Sequence, residues 1–190
     1  MLTFISAIIL AAGESKRMGR PKQLMPLGDS TILERTVDNF LGSKVSEVLV
    51  VLGHKAEDMV KLIAKRPVTI TVNPDYRAGM STSIVAGLSL VSDRSEGVIL
   101  ALGDQPFVDS QTINQLIEAF GAHTKGIVIP VYQGRRGHPI IFSKEHRGEL
   151  LKLKGDIGGR DIISQHPDDV LEVVVNCEGV LIDIDTPDSL

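Results

Sequence analysis

The sequence predicts an α/β fold, a mostly parallel sheet wound by helices with an antiparallel addition at one edge. Three observations carry this expectation. Short, β-branched apolar runs alternate with amphipathic helical patterns up to residue 131, the order that a parallel sheet with helical crossovers requires. The runs are apolar almost without interruption, as in strands covered on both faces. Beyond residue 131 the rhythm changes to strand-like runs with a single helix among them, which predicts the antiparallel addition.

The elements follow in order. Residues 4–10 form the first apolar run, which stops at Leu10-Ala11-Ala12-Gly13. Thr31 and Glu34 then form a capping box, with Ile32, Leu33, Val37, Phe40 and Leu41 on one helical stripe. Runs 47–52, 68–72, 97–102 and 126–131 are each bounded by Gly, Pro, Asn or Asp and read as strands. Between them, 56–66, 80–91 and 110–120 read as helices. In the last part, 138–142, 169–175 and 180–184 read as strands and 144–153 as a helix. Thr186, Pro187 and Asp188 spell a helix start; almost no length follows it, so the chain is either naturally short there or truncated. With no repeat, low-complexity tract or linker, residues 1–190 are expected to form a single domain.

Bulk properties exclude several function classes. Hydrophobic residues at 43% and charged ones at 23% are ordinary for a soluble globular chain. A net charge of −4 argues against a general nucleic-acid or membrane surface. Cys177 is the one cysteine, which excludes an internal disulfide and a Cys-cluster metal site. Its apolar neighbours make it a structural thiol. The N-terminus lacks a cationic n-region and a small-residue cleavage pattern, so it reads as a strand rather than a signal peptide. No apolar run approaches the roughly eighteen residues that span a bilayer. The expected location is the cytoplasm.

The chemistry concentrates after the first strand. Small residues let backbone N–H groups close on a ligand. Lys16, Arg17, Arg20 and Lys22 follow within the same loop, and such cations suit a polyphosphate. Strand ends of open α/β sheets are where nucleotides bind. Two familiar phosphate loops are excluded by spacing: Met18 stands where a P-loop needs glycine, and Ser15 stands where a dinucleotide fingerprint needs its second.

Further segments add candidates. In Leu102-Gly103-Asp104-Gln105-Pro106 a carboxylate follows a buried strand; it either closes a tight turn or holds Mg²⁺ beside phosphate oxygens. Asp183 and Asp185 share a face if 180–184 is a strand. Asp185 could then complete a metal site with Asp104, or serve the following helix start. Ser81, Thr82 and Ser83 follow Gly79 and either cap a helix or face an anion. Arg136-Gly137-His138-Pro139 and Gly155-Asp156-Ile157-Gly158-Gly159-Arg160 are loops that hold charge on a flexible backbone. They suit a second phosphorylated substrate, or any loop; His138 by itself reads as a structural hydrogen-bonder.

Leu-Ala-Ala-Gly-x-Ser-x-Arg-Met-Gly-x-x-Lys, from Leu10 to Lys22, resembles the nucleotidyltransferase signature. With the other segments, in order and spacing, the chain resembles the molybdenum-cofactor cytidylyltransferase family. The resemblance implies a three-layer α/β/α nucleotidyltransferase fold, like that of nucleotide-diphospho-sugar transferases and Rossmann-like in character. It implies transfer of CMP from CTP to the terminal phosphate of the molybdopterin (molybdenum) cofactor, with release of pyrophosphate and dependence on Mg²⁺ or Mn²⁺. Leu10, Ala11, Ala12 and Gly13 would line base and ribose through the backbone. Arg17 and Lys22 would hold the triphosphate and neutralise the leaving pyrophosphate, and Ser81 and Ser83 would sit near the nucleotide. Asp104, assisted by Asp185, would ligate the metal. His138, Gly158, Gly159 and Arg160 would face the cofactor. A recipient molybdoenzyme or its chaperone would be a downstream partner. GMP-transferring relatives read Leu-Ala-Gly-Gly in the first loop, so Ala12 favours a pyrimidine. The alternatives are another base such as GTP, another phosphorylated acceptor, or a non-catalytic cofactor carrier.

Overall fold

The computed structural model describes residues 3–15 and 21–184. β1 (Ile5–Ala11) is followed by a short hairpin, β2 (Pro26–Leu27) and β3 (Ser30–Thr31), and by α1 (Ile32–Leu41). The predicted capping box is formed: Thr31 Oγ1 accepts the Glu34 N–H at 3.3 Å, and Glu34 Oε2 accepts the Thr31 N–H at 2.9 Å. Next come β4 (Glu47–Leu52), α2 (Ala56–Ile63), β5 (Thr69–Val72), α3 (Met80–Leu88), β6 (Gly97–Leu102) and α4 (Ser110–Ala122). The remainder comprises β7 (Ile127–Tyr132), β8 (Arg135–Arg136), β9 (Ile140–Ser143), α5 (Arg147–Leu150), α6 (Arg160–Gln165) and β10 (Val170–Val174).

Among the described residues, the main sheet has the order β10-β7-β9-β6-β1-β4-β5, with β8 paired to β7. β1 lies parallel to both neighbours; Ile8 stands opposite Leu49 on β4 and Leu100 on β6. Antiparallel pairing falls on the predicted flank and is carried by β9, which pairs antiparallel with β6 and with β7. The short turn back from β7 through β8 forces that direction, since parallel neighbours need a long crossover. β10 then adds parallel to β7.

Alternate strand residues feed two cores. Ile5, Ala7, Ile9 and Ala11 face α1, α2 and α4, where they meet Leu33, Phe40, Met59 and Leu116. Ile8, with Leu49 and Leu100 beside it, faces Ile84 and Leu88 of α3, Leu150 of α5 and Ile162 of α6. The result is the expected three-layer sandwich. Burying both faces explains why the strands read as apolar runs rather than alternations.

Two expectations need correction. Residues 180–184 do not form a strand. Glu178–Leu181 is a 3₁₀ turn, Val180 O accepts the His138 N–H at 2.9 Å, and the Ile184 N–H goes to Asp104 O at 3.2 Å. Those backbone groups serve loops at the sheet margin, so no ladder can form. The 144–153 helix is also shorter than predicted, a 3₁₀ turn Lys144–His146 running into α5.

Candidate active site

A cleft of about 510 Å³ opens beyond the carboxyl ends of β1 and β6, the position where open α/β sheets bind ligands. Its lining includes Leu10, Ala12, Gly13, Lys22, Ser83, Leu102, Asp104 and Asp183. Segments far apart in the chain meet here because their strands are neighbours. Gly103 donates its N–H to Leu10 O at 2.9 Å, and a Cβ at 103 would lie 2.8 Å from the Ala11 methyl. Only glycine lets the two strand ends close to this distance.

Lys22 and Asp104 form an ion pair, each with 15% of its side chain exposed. Lys22 is set by the turn that begins at its own residue, where its N–H donates to Ser15 Oγ at 3.2 Å. Burial pushes the Asp104 carboxyl above its ordinary range, the Lys22 ammonium opposes the rise, and the Asp183 carboxylate adds to it. Gln105, itself buried, donates from Nε2 to Asp183 Oδ1 at 2.6 Å. Two carboxylates that repel each other beside an open polar cleft fit a hard divalent cation, which takes carboxylate, phosphate and water oxygens.

The other predicted residues fall around this centre. The Ala12 carbonyl accepts the His54 N–H at 3.1 Å, which ties the loop to the end of β4. Ala11 points into the core at 1% exposure and does not reach the cleft. Ser83 lines the cleft but is buried and accepts from Asn73 Nδ2 at 3.0 Å. Ser81 faces a separate groove beside Asn73 and Leu153. No hydroxyl caps α3: its N-cap is Gly79, and the first helical N–H groups are already taken. Met80 donates to Asp156 Oδ1 and Ser81 to Gly155 O, both at 3.2 Å. The protein's own 155–156 loop therefore occupies these two N–H groups.

His138 is half-buried. Burial lowers it below its ordinary value of 6.5, with Asp183 opposing and Arg160 reinforcing the shift. Both charges act on the His138 ring, although neither His138 nor Arg160 is among the residues that line the cleft. Gly158 lies against Met80, and Gly159 against the Phe142 ring at the start of α6. Arg17 and Asp185 lie outside the described residues. Gln105, Gln23, Tyr76 and Asp156 belong to the site's surroundings; Gln105 and Asp156 stand in candidate segments of the sequence, whereas Gln23 carries no signal of its own. For Gln105 the signal was available in its place next to Asp104.

A half-buried Lys–Asp pair over a small-residue loop, at the carboxyl ends of a mostly parallel sheet, is the arrangement expected of a nucleotidyltransferase. Comparison with known proteins agrees. A family model described as the MobA-like NTP transferase domain matches residues 7–170, and the chain belongs to that family. It is 30% identical to the molybdenum cofactor cytidylyltransferase of Escherichia coli (strain K12), covering 99% of this chain and 94% of that protein. It is also 30% identical to the nicotine blue oxidoreductase of Paenarthrobacter nicotinovorans, covering 100% and 96%. Among solved structures, Rv0371c from Mycobacterium tuberculosis H37Rv superposes with a TM-score of 0.89 at 34% identity, covering 100% and 96%. The same protein in complex with manganese gives 0.84 at 33% identity, covering 98% and 96%.

Proposed function

We propose that the protein transfers CMP from CTP to the terminal phosphate of the molybdopterin (molybdenum) cofactor and releases pyrophosphate. The observation that carries this reading is the Lys22–Asp104 pair facing the Ala12–Gly13 loop in one cleft. The full-length similarity to a molybdenum cofactor cytidylyltransferase supports the acceptor.

The reaction forms a bond between an acceptor phosphate oxygen and the α-phosphorus, and breaks the bond from that phosphorus to the bridging oxygen of pyrophosphate. A phosphate monoester is already a competent nucleophile near neutral pH, so the protein's task is alignment and charge neutralisation. Lys22 is the cation that neutralises the triphosphate and its departing end. Asp104 and Asp183 would hold Mg²⁺ or Mn²⁺, which supplies charge stabilisation at the phosphoryl oxygens when bound; Asp185 is the further ligand the sequence offers. Gly13 and Ala12 present backbone to base and ribose, and the Ala12 methyl narrows the space toward a pyrimidine. His138, Gly158, Gly159 and Arg160 form the acceptor side, with Arg160 facing the acceptor phosphate.

The name of the Paenarthrobacter relative shows that identity near 30% does not choose the chemistry. The missing dinucleotide fingerprint and the Lys22–Asp104 pair favour nucleotidyl transfer over hydride transfer. A cofactor carrier would need no such clamp on a leaving group. The test is pyrophosphate release with purified molybdenum cofactor, Mg²⁺ and each nucleoside triphosphate in turn. Release with CTP alone, dependent on the cofactor, is the expected result. Release with GTP overturns the base assignment, and silence with all four overturns the transfer reading.

A further inference from the structure

At the end of the sheet away from the cleft, four titratable side chains converge from separate short elements. His146 closes the 3₁₀ turn after β9, Glu149 lies on α5, His166 ends α6 and Asp169 precedes β10. His146 Nδ1 lies 3.0 Å from Glu149 Oε1, and His166 Nε2 lies 2.9 Å from Glu149 Oε2. One ligand atom from each of His146, Glu149 and His166 lies within 4.8 Å of the others. The remaining nitrogen of His146, Nε2, faces Asp169 Oδ2 at 2.8 Å. Asp169 is fixed in turn, since its Oδ1 accepts the Gly126 N–H at 2.7 Å. A Cβ at position 126 would collide with Asp169 Oδ2 and come within 3.0 Å of His146 Nε2, so glycine there makes room for the contact.

We infer that His146, Glu149 and His166 form a second metal site, selective for a borderline cation such as Zn²⁺ and separate from the cleft. Three features carry this. Two imidazoles and one carboxylate are a common zinc donor set, leaving a fourth position for water. Around a tetrahedral ion the ligand atoms stand about 3.3–3.4 Å apart, so the observed cluster needs rearrangement of about 1 Å or less at each side chain to close on the ion. A carboxylate behind a ligating histidine is the outer contact that fixes its ring and selects which nitrogen binds the metal, and Asp169 stands there. The exposures suit a loadable site: His146 is 7% exposed, whereas Glu149 and His166 are 36% and 37% exposed. The His146 and His166 rings lie 4.8 Å apart, and each turns one nitrogen to Glu149.

The site has structural work to do. α5 has four residues and α6 has six, too short to be stable by helix formation alone. An ion joining both would staple the segment that carries residues 155–160 to the sheet.

The test equilibrates the whole protein with Zn²⁺ in excess Mg²⁺, removes free metal, and counts bound zinc by mass spectrometry. One zinc per chain is expected, with a rise in melting temperature of roughly 5–10 °C at about a hundredfold excess over the dissociation constant. Co²⁺ in its place should give the intense visible absorption of a four-coordinate nitrogen and oxygen site, which an all-oxygen cleft site does not give. His166→Gln and Glu149→Gln, checked for folding by circular dichroism, should each lose at least about 100-fold in zinc affinity, and Asp169→Asn about 10–100-fold. Absence of retained zinc overturns the inference, as does unchanged affinity in both ligand variants. A wild-type cobalt spectrum without four-coordinate bands overturns it without recourse to any variant.

Discussion

Gln105 donates a 2.6 Å hydrogen bond to Asp183, so the residue following Asp104 holds the second carboxylate of the cleft. The amide is buried and the carboxylate exposed; the buried partner therefore sets the position of the exposed one. Partners that orient metal ligands typically contribute 10–100-fold in affinity. Gln105→Leu is expected to raise the Mg²⁺ or Mn²⁺ concentration needed for half-maximal turnover by about that factor, with little change in melting temperature. Metal titration of pyrophosphate release checks it; an unaltered metal requirement would separate Gln105 from the site.

The Lys22–Asp104 pair makes a second prediction. Asp104→Ala should reduce turnover by at least about 10²–10³-fold, the scale of losing one preorganised electrostatic contact. The fold should remain, because the carboxylate sits in a burial that already disfavours its charge. Lys22→Ala should cost a similar factor. If the two act on one transition state, the double variant loses less than the product of the single losses. Strictly multiplicative losses would show that the pair does not act as a unit.

Much of this was legible in the sequence, and the reasons for the failures are physical. Strands buried on both faces announce themselves by continuous apolarity, and the small residues after Leu10 announce the strand end at which the cleft opens. The run Val180, Ile182, Ile184 alternates like a strand, yet Val180 and Ile184 are buried in two different clusters at the sheet margin. Alternation records burial, and here the burial is that of a loop. α6 was missed because six residues after two glycines carry no helical period. Ser81, Thr82 and Ser83 read either as a helix cap or as anion contacts; no hydroxyl caps α3, Ser83 lines the cleft, and Asn73 binds Thr82 Oγ1 at 2.8 Å and Ser83 Oγ at 3.0 Å.

His138 predicts a pH dependence of stability. Its folded-state value lies below the ordinary 6.5 because burial disfavours the imidazolium. The unfolded chain therefore binds the proton more readily, and low pH favours unfolding. The contribution is fully present above pH 6.5 and is lost as pH falls through the lower, folded value. Urea unfolding of the wild type and of His138→Asn from about pH 7.5 to about pH 5 checks this. The wild type should lose stability more steeply on acidification; parallel curves would place His138 in solvent.

Asn73 should be the costliest polar residue near the site to remove. It is 4% exposed, and its amide donates to Thr82 and Ser83 while its Oδ1 accepts the Asp75 N–H at 3.0 Å. Asn73→Ala strands at least one buried hydroxyl and frees the turn leading into Gly79. Gly79 itself has φ of +117° and lies against Gly155, where a side chain would collide with backbone. The turn, the start of α3 and the 155–156 loop are thus one assembly with Asn73 at its base. Leaving buried partners unsatisfied costs about 1–3 kcal/mol, so Asn73→Ala is expected to lower the unfolding free energy by about 2 kcal/mol. It should also increase hydrogen exchange at Met80 and Ser81, whose N–H groups bind Asp156 and Gly155. Exchange faster at both sites together with the stability loss would show the assembly acting as a unit, whereas a stability loss with those two amides still protected would confine Asn73 to its own turn.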